Sequence, residues 1–307
     1  MHRRNCKIPV TVKISILGTN GFLSNAIGKY ANQQGWQLDM YGLAEPDALR
    51  YDKFIEINLM DRDLDCTTML DSDVIVYAIG AGIQSNLKEG AELVFALNVT
   101  APVNICNKLK TLDYKGAFVT FGSYFELGET DLKRPATEED IIKSDATAPT
   151  DYVVSKRMLT RFVTSYKHDF THWHFILPTI YGPGENPKRL IPYTINAIRS
   201  NEELHFTSGE QVRQYLYVGD VAKLLHAAYI GRISSGVYNI AGTETISVRQ
   251  LVKMICEVNG KKYDDIYFGK MLRSDVGMKY LALDGKRMHA SIGFSPNTKI
   301  DDQIRLY

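Results

Sequence analysis

The chain has 307 residues, 23% of them charged and 45% apolar, with a formal net charge of +1. That length accommodates one large α/β unit with an appended lobe, or two modest domains. A charge this close to zero makes no electrostatic case for nucleic acid or an acidic membrane surface, and no run approaches the ~18 apolar residues of a membrane span.

In chain order, the basic start Met1-His2-Arg3-Arg4-Asn5-Cys6 lacks a following apolar core, so no leader is expected. Val12–Leu17 predicts a buried strand, and Gly18-Thr19-Asn20-Gly21 a turn into a helix ending near Gln34. Trp36–Gly42, Phe54–Leu59 and Asp73–Ala78 predict three further strands, with Asp61 opening the turn after the second of them. A helical pattern covers Ala91–Leu109, and Ala117–Phe121 predicts a fifth strand that leads to Ser123. Phe175–Leu177 predicts a sixth strand, stopped by Pro178. Strands alternating with helices argue for βαβ units and a parallel sheet. The Gly/Pro-rich stretch Tyr181-Gly182-Pro183-Gly184-Glu185-Asn186-Pro187 cannot extend a strand or helix, and marks the exit into a smaller lobe. Cys6, Cys66, Cys106 and Cys256 are far apart, as expected for free thiols in a reducing cytoplasm. His172 and His174 alternate on a strand without metal-ligand spacing, so no metal is assigned.

Tyr152 and Lys156 form the one Tyr–Lys pair at i, i+4 in the chain. On a helix such a pair shares a face, where an ammonium beside a phenol favours the phenolate and lowers its pKa from about 10. A phenol tuned toward neutrality serves as general acid or base at a carbonyl oxygen. By itself the spacing is a weak signal.

The glycine turn supplies context. Gly18 permits a tight turn, Gly21 lets a pyrophosphate approach the backbone, and the helix N-terminus offers N–H donors. Ser24 stands where a third glycine is usual. At the end of the second strand Gly42 occupies the position of a ribose-binding carboxylate. Its lack of charge favours NADP(H) over NAD(H), with Arg50 as a partner for the 2′-phosphate; close packing is the other explanation of this glycine.

Several segments in order resemble the extended short-chain dehydrogenase/reductase family of sugar-nucleotide epimerases, dehydratases and reductases. These are Ile57-Asn58-Leu59-Met60-Asp61, Asn98-Val99-Thr100, Val119-Thr120-Phe121-Gly122-Ser123, Ile180-Tyr181-Gly182-Pro183-Gly184, and the run from Gly209 to Val221 around Arg213. The resemblance implies a Rossmann-type, doubly wound parallel sheet over 11–178, rejoined by 214–241. A smaller C-terminal substrate-binding lobe is expected over 179–213 and 242–307. It implies a catalytic trio of Ser123, Tyr152 and Lys156. The cofactor is expected against Gly18, Asn20, Gly21, Phe22, Leu23, Asn58, Leu59, Ala78, Asn98, Tyr152, Lys156 and Pro178. Lys188, Arg189, Arg213 and Arg273 become candidates for a nucleoside diphosphate, with a solvated surface pair the equal reading of Lys188 and Arg189; Phe206 is a candidate for stacking on the base, with a core position the equal alternative. A homodimer is also implied. The chain departs from the pattern where Asn58 replaces an aspartate, Gly122 a serine, Ile176 an arginine, and Glu126-Leu127-Gly128 a Val-Tyr-Gly.

Fold does not fix the reaction. The family's 4,6-dehydratases place an Asp-Glu pair directly after the catalytic hydroxyl, where this chain has Tyr124 and Phe125, and strand alternation is expected to turn Glu126 away. A double epimerase of the fucose-synthase type has a histidine where Gly184 stands. Two readings remain. One is reduction of a 4-keto-6-deoxyhexose nucleotide, favoured by a looser likeness of Ile191–Ile195 and Thr207–Gln211 to abequose-synthase-type reductases serving surface polysaccharide. The other is C4 epimerisation on tightly bound NAD.

Overall fold

Near-continuous buried runs along the central strands give the sheet two buried faces, and helices cover both. The computed structural model describes residues 11–60, 64–83, 89–271 and 277–307. Seven strands form one sheet in the order β3-β2-β1-β4-β5-β6-β9. They are β1 Lys13–Leu17, β2 Gln37–Gly42, β3 Lys53–Glu56, β4 Val74–Tyr77, β5 Ala117–Ser123, β6 Thr171–Leu177 and β9 Gly236–Asn239. Every pairing within it is parallel. The chain winds one way from β1 to β3 and the other way from β4 onward. A crevice therefore opens between β1 and β4 at their C-terminal ends, the place where open α/β sheets bind ligands.

On one face Ile14, Ile16, Leu38, Met40, Val74 and Val76 pack against α1 (Phe22–Gln34) and α7 (Val218–Gly231). On the other, Leu17, Tyr41, Ile75 and Phe118 meet Ile105, Cys106 and Leu109 of α3 (Ala101–Thr111). Between α2 (Ala91–Phe95) and α3 lies a π turn, Ala96–Thr100. The predicted helix over Ala91–Leu109 thus has a break, of the kind found at functional positions. After β5, a short helix α4 (Glu138–Ile142) leads to α5 (Asp151–Ser165), which carries Tyr152 in its first turn.

The smaller lobe is built on β8 (Val212–Tyr217). Beside it lie β7 (Thr179–Tyr181) and β11 (Tyr280–Leu281) in parallel, and β10 (Glu244–Ser247) antiparallel. Two helices, α6 (Leu190–Arg199) and α8 (Val248–Val258), pack on this lobe. Val248, Leu251, Val252, Ile255 and Cys256 give α8 its buried stripe at helical spacing. The expected limit at 214 falls within β8, and the chain rejoins the large sheet through α7 and β9. The lobe is completed by α10 (Ile300–Ile304), while α9 (Lys286–Ile292) packs on α7.

Candidate active site

At the crevice the turn after β1 comes close to the loop after β4. Gly18 has φ +110°, and a Cβ there would lie 2.8 Å from Ile79 Cγ1. Gly21 stands at the N-cap of α1 without a side-chain bond, and no acidic residue sits in the first turn, so no carboxylate competes there for the first-turn N–H groups. Asn20, at φ 58°, is engaged elsewhere: it donates to Glu45 O (2.9 Å) and accepts from Asp47 N (2.8 Å), pinning the loop after β2. Asn58 and Leu59 follow β3, Ala78 follows β4, and Pro178 joins β6 to β7, all at this same edge of the sheet. A turn that lacks a Cβ at Gly18 and Gly21, together with an uncapped helix end, fits a dinucleotide pyrophosphate.

Gly42 answers a packing demand, because a Cβ there would lie 2.4 Å from Thr19 Oγ1. Arg50 is not placed as expected for a 2′-phosphate partner. Its backbone exchanges hydrogen bonds with the Asn32 side chain near the far end of α1, about 15 Å along the helix from the glycine turn.

Ser123 ends β5 opposite Leu177, and its hydroxyl faces the Tyr152 phenol. The strand stops there because Ser123 caps a 3-10 turn, Tyr124–Leu127, in a reciprocal box: Ser123 Oγ accepts from Phe125 N (3.3 Å), and Ser123 N donates to Glu126 Oε1 (2.8 Å). Glu126 is turned inward by this box rather than by strand alternation, and is fully buried. A Cβ at Gly122 would lie 2.6 Å from Glu126 Oε1 and 2.7 Å from His174 Nε2, which explains a glycine at that position. Ile176 is fully buried in apolar surroundings.

Lys156 Nζ donates to Phe121 O (2.9 Å) and lies 5.8 Å from the Tyr152 ring centroid. Burial pulls this ammonium down to about 8, against the pull of Glu126. Burial pushes the Tyr152 phenol up to about 12, while the Ser123 hydroxyl and the Arg189 charge act the other way. The expected lowering of Tyr152 by Lys156 is therefore corrected: desolvation dominates, and the phenol is held protonated. Asn98, on the π turn, is buried and fixes the adjacent walls. It donates to Ala81 O (2.9 Å) and Ser155 Oγ (3.0 Å), and accepts from Ala81 N (3.0 Å).

Across the cleft, Arg189 caps α6 and pairs with the buried Glu185 (3.2 Å), while Lys188 is exposed beside it. Tyr307 holds the same turn, donating to Glu185 and accepting from Gly182 N (2.7 Å). Arg213 is buried in β8 and donates to Val212 O (2.9 Å). Phe206 does not line the cleft wall as expected for base stacking. It is 5% exposed, in the lobe core between Tyr193 and Phe268. Arg273 and Asp61 lie outside the described residues.

A buried string leads away from Glu126. Its Oε2 accepts from Thr160 Oγ1 (2.6 Å), which contacts His174 Nε2 (2.9 Å). His174 Nδ1 meets Thr120 Oγ1 (2.7 Å), which in turn meets His172 Nε2 (3.0 Å). Burial pushes both imidazoles down, His172 to about 3, so they are neutral. The Ser-x-x-Glu spacing at 123–126 is the sequence signal that would have found this inward carboxylate.

The model of the NAD dependent epimerase/dehydratase family matches residues 14–241. The low-salt glycan biosynthesis protein Agl12 of Haloferax volcanii is 25% identical over 264 residues, covering 82% of this chain and 79% of that one. A dTDP-4-dehydro-6-deoxy-D-allose reductase of a Streptomyces species is 26% identical, covering 74% and 70%. The CDP-abequose synthase of Yersinia pseudotuberculosis is 25% identical over 56% of each chain. Among solved structures, a dTDP-glucose 4,6-dehydratase of Streptomyces venezuelae with NAD bound superposes with TM-score 0.82 at 17% identity, covering 96% and 97%. Among the described residues no helix is long and apolar enough to cross a membrane.

Proposed function

The chain belongs to the NAD dependent epimerase/dehydratase family, and within it we propose a 4-ketoreductase that acts on a nucleoside-diphosphate 4-keto-6-deoxyhexose for surface polysaccharide. The observation that carries this reading is the Tyr152 phenol facing the Ser123 hydroxyl with Lys156 beside it, while the one carboxyl group of the turn, Glu126, is buried and engaged through both oxygens. When bound, the nicotinamide cofactor supplies the hydride. The chain's own residues do the rest. Tyr152 Oη gives its proton to the C4 oxygen, the Ser123 hydroxyl holds that oxygen, and Lys156 lies where the nicotinamide ribose is expected. A reductase needs Tyr152 only as the acid, whereas an epimerase needs it as base and then as acid.

4,6-Dehydration needs a base at C5, beside the C4 ketone, and an acid at the C6 hydroxyl that leaves as water. Tyr124 and Phe125 provide neither, and Glu126 is fully buried with both oxygens engaged. A dehydratase bears the strong structural likeness, but at 17% identity that likeness speaks for the fold alone. We assign Arg189 to the diphosphate; its nearness to Tyr152, on which its charge acts, supports this. The absence of a carboxylate at Gly42 is compatible with NADP(H), but packing against Thr19 accounts for that glycine by itself, so both cofactors are compared.

The test is oxidation of NADPH and of NADH by the purified protein, offered CDP-, dTDP- and GDP-4-keto-6-deoxyhexoses in turn. Stoichiometric loss with one of them is expected. Tyr152→Phe should lower turnover by roughly 10² to 10⁴-fold with folding intact. Full activity in that variant would remove Tyr152 from the mechanism.

A further inference from the structure

Three side chains with no part in this chemistry meet at the opposite, N-terminal edge of the large sheet. Cys106 comes from α3, His168 from the connection after α5, and His172 from the start of β6. Cys106 Sγ lies 3.2 Å from His168 Nε2 and 3.8 Å from His172 Nδ1, and one ligand atom from each residue falls within 4.8 Å of the others. Around a tetrahedral zinc, with bonds of about 2.3 Å to sulfur and about 2.1 Å to nitrogen, sulfur and nitrogen sit roughly 3.6 Å apart. The observed separations straddle that value.

Both rings are held in place. His172 Nε2 is bonded to Thr120 Oγ1 (3.0 Å), the outer contact that leaves the other ring nitrogen facing the thiol. The His168 ring stacks on Phe170, with centroids 4.8 Å apart, and on Tyr166 at 5.8 Å. Cys106 and His172 are buried while His168 is partly exposed, so one side of the cluster opens to solvent. The His168-x₃-His172 spacing is one that zinc sites use.

The geometry points to a site for a borderline-soft divalent cation, Zn²⁺ above all, held by Cys106, His168 and His172 with water as the fourth ligand. The metal clips α3 to the start of β6. On binding, Cys106 gives up its thiol proton to solvent and ligates as the thiolate, so one proton leaves for each metal bound. The site is independent of the reductase reading, since none of its ligands reaches the cleft.

The experiment is anaerobic titration of the tag-free full chain with Co²⁺. One equivalent should bind, with tetrahedral visible bands and a near-ultraviolet thiolate-to-cobalt band, and Zn²⁺ should displace it. Zn²⁺ should also raise the unfolding temperature. Cys106→Ala should lose the thiolate band, and His168→Ala, at the most accessible ligand, should weaken binding by roughly tenfold or more. No thiolate band with wild-type protein at micromolar Co²⁺ would overturn the site. So would a band that survives Cys106→Ala, because the sulfur would then belong to another cysteine.

Discussion

Glu126 couples the catalytic turn to the protein interior. Its carboxyl is pushed up to about 7 by burial, and the Thr160 hydroxyl, the Ser123 N–H and the charges of Lys156 and Arg157 only partly offset this. Across the window from the ordinary carboxylate range to about pH 7, the folded chain keeps a proton that the unfolded chain releases. Its contribution to stability therefore falls as pH rises through that window. Lys156, held down near 8, works in the other sense: the folded chain loses that proton first, and stability is gained from about pH 8 up to 10.5. Glu126→Gln should flatten the fall between pH 5 and 7, raising stability at pH 8 by on the order of 1–3 kcal/mol, as read by denaturant unfolding. An unchanged pH profile would place the carboxylate's charge elsewhere. At Gly122, a methyl group would meet Ile176, His174 and Glu126 at 2.4–2.7 Å. Gly122→Ala should then destabilise by about 1–3 kcal/mol and reduce turnover, while neutrality in both would contradict the close packing described.

At the scale of elements, the first half of the chain was legible because its signals are local. Apolar runs give β1, β2 and β4, and Gly18 to Gly21 give the entry to α1, with helix limits matching at Gln34. Other features depend on distant partners. β6 begins at Thr171, four residues ahead of the apolar run that opens at Phe175; the alternation of His172 and His174 marks the earlier part of the strand, where both rings turn inward to Thr120. The π turn at Ala96–Thr100 exists to turn Asn98 toward Ala81 and Ser155, and periodicity over Ala91–Leu109 does not register it. Motif order picks out the proposed trio of Ser123, Tyr152 and Lys156, whereas it says nothing of their electrostatics. Burial sets the Tyr152 and Lys156 values, and burial is a property of the assembled cleft. Phe206 shows the converse case, an aromatic in a motif-like place that the lobe core claims.

At the scale of the whole molecule, the two sheets place Tyr152 on one cleft wall and Arg189 on the other. The outer side of α5 leaves Val154 and Met158 exposed one turn apart, 36% and 48% accessible, a surface suited to the expected homodimer. Light scattering should give twice the chain mass, and Met158→Glu should shift it to a monomer; a wild-type monomer would contradict that expectation. The central claim concerns net reduction, and tracking deuterium tests it most directly. With the accepted 4-keto-6-deoxyhexose nucleotide and cofactor deuterated at nicotinamide C4, a ketoreductase places one deuterium at sugar C4 for each cofactor oxidised. Oxidised cofactor should accumulate in step with product. Conversion of a 4-hydroxy sugar nucleotide to its C4 epimer, with no net oxidation and no label from added cofactor, would contradict the account.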